Sequence, residues 1–121
     1  MRKIYFTWDD FDLAIDIIAH RIRVGKYNVS TIYGVPRGGI IAAVALSHRL
    51  KLPVITTLKQ PCLVVDDVSD SGNTLSKLNL SSESLIATIH FREGSKIVPD
   101  VWVCEKPEDS WIIYPWENKE D

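Results

Sequence analysis

Cys62-Leu63-Val64-Val65-Asp66-Asp67-Val68-Ser69-Asp70-Ser71-Gly72-Asn73-Thr74 is the stretch on which the reading of this chain turns. An apolar, β-branched run ends in two adjacent carboxylates. A small-residue turn follows with a third acid in it, and helix-like sequence begins after the turn. The pattern predicts a strand, a ligand loop and a helix start. A turn of Ser71, Gly72, Asn73 and Thr74 can aim several backbone N–H groups and hydroxyls at one point, an arrangement that binds phosphate at a helix start. Asp66 and Asp67 cannot serve a phosphate, because ionised carboxylates only accept hydrogen bonds; they suit sugar hydroxyls or a hydrated Mg²⁺. Phosphate, diol and metal within one loop imply a phosphorylated ribose.

A second loop of the same kind lies upstream. Thr31 to Val35 reads as a short strand, Pro36-Arg37-Gly38-Gly39 as a tight turn and Ile40 to Leu50 as a well-buried helix, with His48 and Arg49 solvated at its far end. The glycines let a ligand approach the backbone, and Arg37 supplies a charged fork that fits phosphate oxygens. Before it, Thr7-Trp8-Asp9-Asp10 reads as a helix start with Thr7 or Asp9 as cap. Phe11, Ala14, Ile15, Ile18, Ala19 and Ile22 recur at helical spacing up to a stop at Gly25. His20 in that helix reads as structural.

Pro53 to Leu58 is the next expected strand. Only Lys59-Gln60-Pro61 separates it from the strand that begins at Cys62, and so short a link favours an antiparallel hairpin or a sharp corner. A brief helix is expected over Thr74 to Leu78, a strong strand over Leu85 to Phe91 ending at Arg92, and a last strand over Val101 to Cys104. The tail from Trp111 to Glu117 is aromatic, and Asn118 to Asp121 are expected to fray. The order βα, β, βα, β, β predicts a single α/β domain over residues 1–121: a mostly parallel twisted sheet flanked by helices, with a C-terminal segment from about residue 100. Ligands bind such sheets at the carboxyl ends of the strands. Both glycine turns and Arg92 fall there, so one crevice can receive them all.

Composition narrows the classes. The chain has 121 residues, enough for one core. Its net charge of -2 and pI near 5.9 give no general attraction to nucleic acid or to acidic membranes. Cys62 and Cys104 sit in apolar runs and read as core residues. No apolar run approaches the roughly 20 residues that span a bilayer, and Met1 to Phe6 lacks the apolar region of a signal peptide. A cytoplasmic protein is the expectation.

These motifs resemble type I phosphoribosyltransferases. The signature for 5-phosphoribosyl 1-pyrophosphate (PRPP) in that family is an apolar strand, two acids, two residues, a further acid and a small-residue turn, matched here from Leu63 to Thr74. The chain is most similar to the bacterial xanthine-guanine branch, through Tyr5-Phe6-Thr7-Trp8-Asp9, through Tyr33-Gly34-Val35-Pro36-Arg37-Gly38-Gly39, and through Asp109-Ser110-Trp111-Ile112 with Pro115-Trp116-Glu117. The resemblance implies transfer of a phosphoribosyl group from Mg-PRPP to a 6-oxopurine, with pyrophosphate and a nucleoside 5′-monophosphate as products.

It also implies roles. Asp66 and Asp67 hold the ribose hydroxyls, Asp67 beside Mg²⁺. Asp70 faces the purine N7 as general base or acid. Ser71, Gly72, Asn73 and Thr74 cradle the 5′-phosphate, and Arg37, Gly38 and Gly39 receive pyrophosphate. Trp111 stacks on the base, and the Ile112 backbone meets its edge. Two departures stand out. Arg92 replaces the lysine that usually contacts the 6-oxo group, and it is assigned to the purine here. The long excursion that closes over the family's site is reduced to Lys59-Gln60-Pro61. The second departure leaves an alternative reading, a PRPP- or nucleotide-binding sensor or regulatory module without transfer. A homodimer or homotetramer is the assembly that relatives suggest; His90 and Glu117 are left unassigned.

Overall fold

Thr7 opens the first long helix with a reciprocal cap. Its hydroxyl accepts the Asp10 backbone N–H at 3.1 Å, and the Asp10 carboxylate accepts the Thr7 N–H at 2.9 Å. In this computed structural model, which describes residues 1–117, helix α1 runs Trp8–Gly25 after a strand β1 at Arg2–Tyr5; the expected fraying of 118–121 lies outside the described residues. The six apolar residues picked out by helical spacing are all buried. Lys26 ends α1 in the left-handed conformation, one residue beyond the glycine expected to do so.

The remaining elements are β2 (Ile32–Gly34), α2 (Gly38–Leu50), β3 (Val54–Ile55), β4 (Leu63–Ser69), α3 (Asn73–Ser76), β5 (Leu85–Phe91), β6 (Val101–Glu105) and β7 (Ser110–Ile113). Five strands form a wholly parallel sheet in the order β3-β2-β4-β5-β6. The main core lies between that sheet and α1 with α2, around Ile15, Ile18, Ile32, Leu46, Leu63 and Ile89. A smaller cluster, Val35, Cys62, Val64 and Leu75, packs the other face. Burying side chains of this size contributes about 1.5–3 kcal/mol each. Both cysteines are free thiols, Cys62 buried and Cys104 half-buried. Arg49, expected to be solvated, instead ties α2 to α1 through Asp16 at 2.5 Å. Among the described residues no helix is long and apolar enough to cross a membrane.

The hairpin expected across residues 59–61 does not form. Val54 and Leu63 both pair with Ile32, from opposite sides of β2 and in the same direction. Residues 56–62 therefore carry the chain past β2 and back to its starting level. A parallel crossover normally needs a dozen residues because strands are usually longer. Here β3 has two residues and β2 three, so the seven-residue return, with a reach of about 23–25 Å, suffices.

Two strands were not legible locally. β1 pairs in parallel with β7, Arg2 beside Ser110 and Tyr5 beside Ile113, forming a separate two-stranded sheet. An aromatic cluster seats this unit on the domain: Trp8 and Phe11 meet Trp116, and Phe6 meets Tyr114 and His90.

Helix α2 approaches β4 so closely that a Cβ on Gly39 would run into the Val65 carbonyl and lie 3.0 Å from the Asp66 Cα, backbone atoms that cannot step aside. Gly39→Ala should therefore lower unfolding free energy by about 1–3 kcal/mol, read from urea denaturation of the variant beside the parent chain.

Candidate active site

From β2 the chain runs through α2 to β3 on one side, whereas β4 lies on the other side of β2. The carboxyl ends of β2 and β4 thus flank a topological switch point, where parallel sheets bind ligands. Val35 N–H donates to the Val65 carbonyl at 2.8 Å, holding the two ends level. The turn Pro36-Arg37-Gly38 then faces Asp66 and Asp67. The Pro36–Arg37 peptide is cis. A side chain on Gly38 would collide with the Asp67 carboxylate, so only glycine lets the turn come this near.

The two acids are bent back onto their own backbone. Asp67 N–H donates to Asp66 Oδ1 at 2.8 Å, and Val68 N–H to Asp67 Oδ1 at 2.8 Å. Asp66 is 8% exposed. Burial, and then the neighbouring Asp67 charge, push its acid up to about 8. Burial also raises Asp67, against the hydrogen bonds that favour its charged form. At neutral pH the pair therefore carries a proton that a cation would displace.

Beyond the acids the loop is braced from the β5–β6 connection. Lys96 N–H donates to the Ser71 carbonyl at 3.0 Å, Ser69 Oγ to the Ile97 carbonyl at 2.7 Å, and Ser69 and Ser95 hydroxyls meet at 2.8 Å. Gly72 sits at φ +84° with backbone of residues 96–97 against it, so neither its conformation nor its space admits a side chain. The helix expected after the turn is the single turn α3.

Two hollows open here. The smaller, about 270 Å³, is lined by Asp66, Asp67, Ser71, Gly72, Asn73 and Thr74 among others. The larger, about 800 Å³, is walled by Lys106, Trp111, Ile112, Tyr114, Trp116 and Glu117. Arg37, Gly38, Asp67, Val68 and Asp70 line both and form the shared wall.

The structure thus brings together Arg37, Gly38, Asp66, Asp67, Asp70, the Ser71–Thr74 turn, Trp111 and Ile112. Two expected residues fall elsewhere. Gly39 lines neither hollow; it is buried, and its N–H is engaged by the Val35 carbonyl at 2.9 Å. Its requirement for glycine comes from helix-on-strand packing. Arg92 lies outside the aromatic cleft and turns to Asp70, with Nε 2.5 Å from Oδ1. Lys106, 8% exposed and 3.5 Å from Asp70 Oδ2, lines the cleft in its place. It follows directly on β6, so the strand-end rule that singled out Arg92 also applies to it. Tyr114 and Trp116 of the aromatic tail, to which no role is assigned from the sequence, stack at 4.9 Å and 1° and form a wall of the cleft. Glu117 lines the cleft and accepts Tyr114 N–H at 3.2 Å. His90 is buried behind the wall; burial and the Lys106 charge hold its imidazole down to about 4, so it is neutral at physiological pH.

No group of three or more His, Cys, Asp or Glu side chains is placed to hold a metal among the described residues. Asp66 and Asp67 offer a hard-oxygen pair only. That fits Mg²⁺, which takes one or two carboxylates and draws its other ligands from water and substrate phosphates.

No family model matches the chain. Comparison with known proteins is nonetheless consistent. Phosphoribosyltransferases are among the solved structures that share this fold: that of Helicobacter pylori xanthine-guanine-hypoxanthine phosphoribosyltransferase superposes with a TM-score of 0.80 at 21% identity, covering 96% of this chain and 94% of that one. Among curated proteins, xanthine-guanine phosphoribosyltransferase of Nitratidesulfovibrio vulgaris is 20% identical, over 98% of this chain and 87% of the relative. Purine phosphoribosyltransferase from Pyrococcus horikoshii Ot3 is 32% identical with a TM-score of 0.82, covering 98% of this chain and 96% of that one. The chain belongs to the purine phosphoribosyltransferases, a family of glycosyltransferase enzymes.

The Asp66 environment has a consequence for stability. In the unfolded chain this acid ionises near the ordinary 3.8, and in the folded chain near 8. Between those values the native state holds a proton that the unfolded state has lost, so stability falls as pH rises through the window. Urea midpoints should drop from pH 5 to pH 8. In Asp66→Asn, which is neutral throughout, the drop should be clearly smaller; an unchanged pH dependence in that variant would contradict the assignment.

Proposed function

We propose that the protein transfers the 5-phosphoribosyl group of PRPP to a 6-oxopurine (hypoxanthine, guanine or xanthine), giving the nucleoside 5′-monophosphate and pyrophosphate, a reaction of purine salvage. The observation that carries this reading is the shared wall: a polar hollow with two acids and a Ser-Gly-Asn-Thr turn joins an aromatic cleft at Arg37, Gly38, Asp67, Val68 and Asp70. A sugar in the first and a base in the second would meet there.

In this reading Asp66 and Asp67 take the ribose hydroxyls, and Ser71, Gly72, Asn73 and Thr74 take the 5′-phosphate. The Arg37 fork, beside Gly38, faces pyrophosphate. Trp111, Trp116 and Tyr114 enclose the purine with the Ile112 backbone at its edge. Lys106, rather than Arg92, meets the base carbonyl; its buried ammonium can donate to an oxygen and cannot accept from an amino group. The C1–O bond breaks with its electron pair leaving on pyrophosphate, the purine N9 bonds to C1, and the N7 proton passes to Asp70 and on to solvent. Arg92 and Lys106, one on each oxygen, hold Asp70 at the junction. Mg²⁺, held by Asp67 when bound, supplies Lewis-acid neutralisation of the pyrophosphate charge. Arg37 lies where that charge grows and adds fixed electrostatic stabilisation.

The binding-only reading rests on one observation, the seven-residue return at 56–62, which offers no excursion to fold over the cleft. A homodimer or homotetramer is supported by Ile40 and Val44, one turn apart and both exposed on α2. A cytoplasmic site of action follows from the charged, phosphorylated substrates.

Incubation with Mg-PRPP and each of hypoxanthine, guanine, xanthine and adenine decides between transfer and binding. Nucleotide is expected from 6-oxopurines and not from adenine; PRPP-dependent thermal stabilisation without product from any base would select the binding module. Lys106→Met should lower kcat/KM for 6-oxopurines by about 10–150-fold, the equivalent of a lost charged hydrogen bond of about 1.5–3 kcal/mol, with the KM for PRPP within about threefold. Asp66→Ala combined with Asp67→Ala should weaken PRPP binding at least tenfold in calorimetry, about 1.4 kcal/mol.

A further inference from the structure

Tyr114 belongs to both halves of the site. Its ring stacks on Trp116, and the two line the aromatic cleft. Phe6 and His90 press edge-on against the same ring at centroid distances of 5.8 and 5.5 Å, so it is held on several sides. Its hydroxyl reaches away from the cleft into the body of the protein. There it lies 3.1 Å from the Asp67 carbonyl oxygen and 2.9 Å from His90 Nδ1.

One phenol carries one proton, which fixes the direction of these bonds. A carbonyl only accepts, so Tyr114 donates to Asp67, and His90 Nδ1–H donates to Tyr114. Burial, with the nearby carboxylates adding to it, holds the phenol well above its ordinary range and keeps that proton in place. The carbonyl it grips belongs to the same rigid peptide plane as Val68 N–H. That N–H holds Asp67 Oδ1 at 2.8 Å. Turning the peptide would release both bonds together. The preceding peptide, through Asp67 N–H, holds Asp66 Oδ1 in the same way.

We propose that Tyr114 is a positioning residue that couples the two half-sites: a purine against its ring and a ribose on Asp66 and Asp67 favour one placement of the Asp67–Val68 peptide, so each ligand tightens the binding of the other. The inference rests on the function proposed above and adds to it a reciprocal linkage, with Tyr114 hydroxyl as the element through which it acts. By thermodynamic necessity the factor is the same in both directions.

The test uses 9-deazahypoxanthine, in which carbon replaces the attacking nitrogen, so that both ligands can be titrated without turnover. In calorimetry of the unaltered protein, the analogue should tighten Mg-PRPP binding at least fivefold, the lower end of ordinary coupling. In Tyr114→Phe, which keeps the ring and its stacking, the coupling factor should fall towards one. A factor equal to the parent's would overturn the proposal. So would a parent factor of one with both ligands bound, an outcome that leaves the transferase reading standing. Failure of the parent to bind either ligand would remove that reading and the inference with it. A second measurement needs no variant: amide exchange at Asp67 and Val68 should slow at least fivefold when the analogue binds alone. Unchanged exchange there would count against the proposal even if Tyr114→Phe did not fold.

Discussion

The parallel contact between β2 and β4 at their carboxyl ends is the constraint on which the site depends. Val35 donates to Val65 across it at 2.8 Å, and α2 lies over it at a separation that only Gly39 permits. That approach sets Arg37 and Gly38 against Asp66 and Asp67. The switch in strand order leaves the space between them free of covering helix, because α2 departs to one side and β4 continues on the other. Position and openness of the cleft thus share one cause.

Charge is arranged around that space with unequal solvation. Asp66 and Asp67 are drawn into the protein and each accepts one backbone N–H, so the free site holds a proton in place of a second negative charge. Asp70, more open to water, is instead met by two cations, Arg92 and Lys106. Three acids within five residues of chain therefore differ in kind. Two are bent onto their own backbone, and the third is compensated by neighbouring cations.

The aromatic half of the site comes from the C-terminal segment, through Trp111, Tyr114 and Trp116. Among the described residues β1 and β7 pair only with each other, and their attachment to the domain runs through Ile112 in the core with Ile4 against it, and through rings: Phe6, Trp8 and Phe11 from the start, Tyr114 and Trp116 from the end. Edge-to-face contacts of this kind add about 0.5–1.5 kcal/mol each beyond burial. Tyr114 and Trp116, which help to close the fold, also wall the cleft, so stability and cleft geometry are not separable there.

Much was written locally. The six buried positions of α1 follow from a 3.6-residue period, and its start from the capping residues Thr7 and Asp9, of which the fold uses Thr7. The strand–acid–turn sequence from Leu63 to Thr74 follows from β-branched residues giving way to small ones. These are short-range steric and hydrogen-bonding preferences, and a sequence carries them residue by residue. Tertiary structure alone decided which strands are neighbours, that a seven-residue link could join two parallel strands, and that Lys106 rather than Arg92 enters the cleft. It also decided that Gly39 serves packing, and that Tyr114 reaches Asp67. Each of those depends on where a side chain or strand end lies relative to residues tens of positions away. Periodicity and spacing do not encode such distances; the packing of the whole chain does.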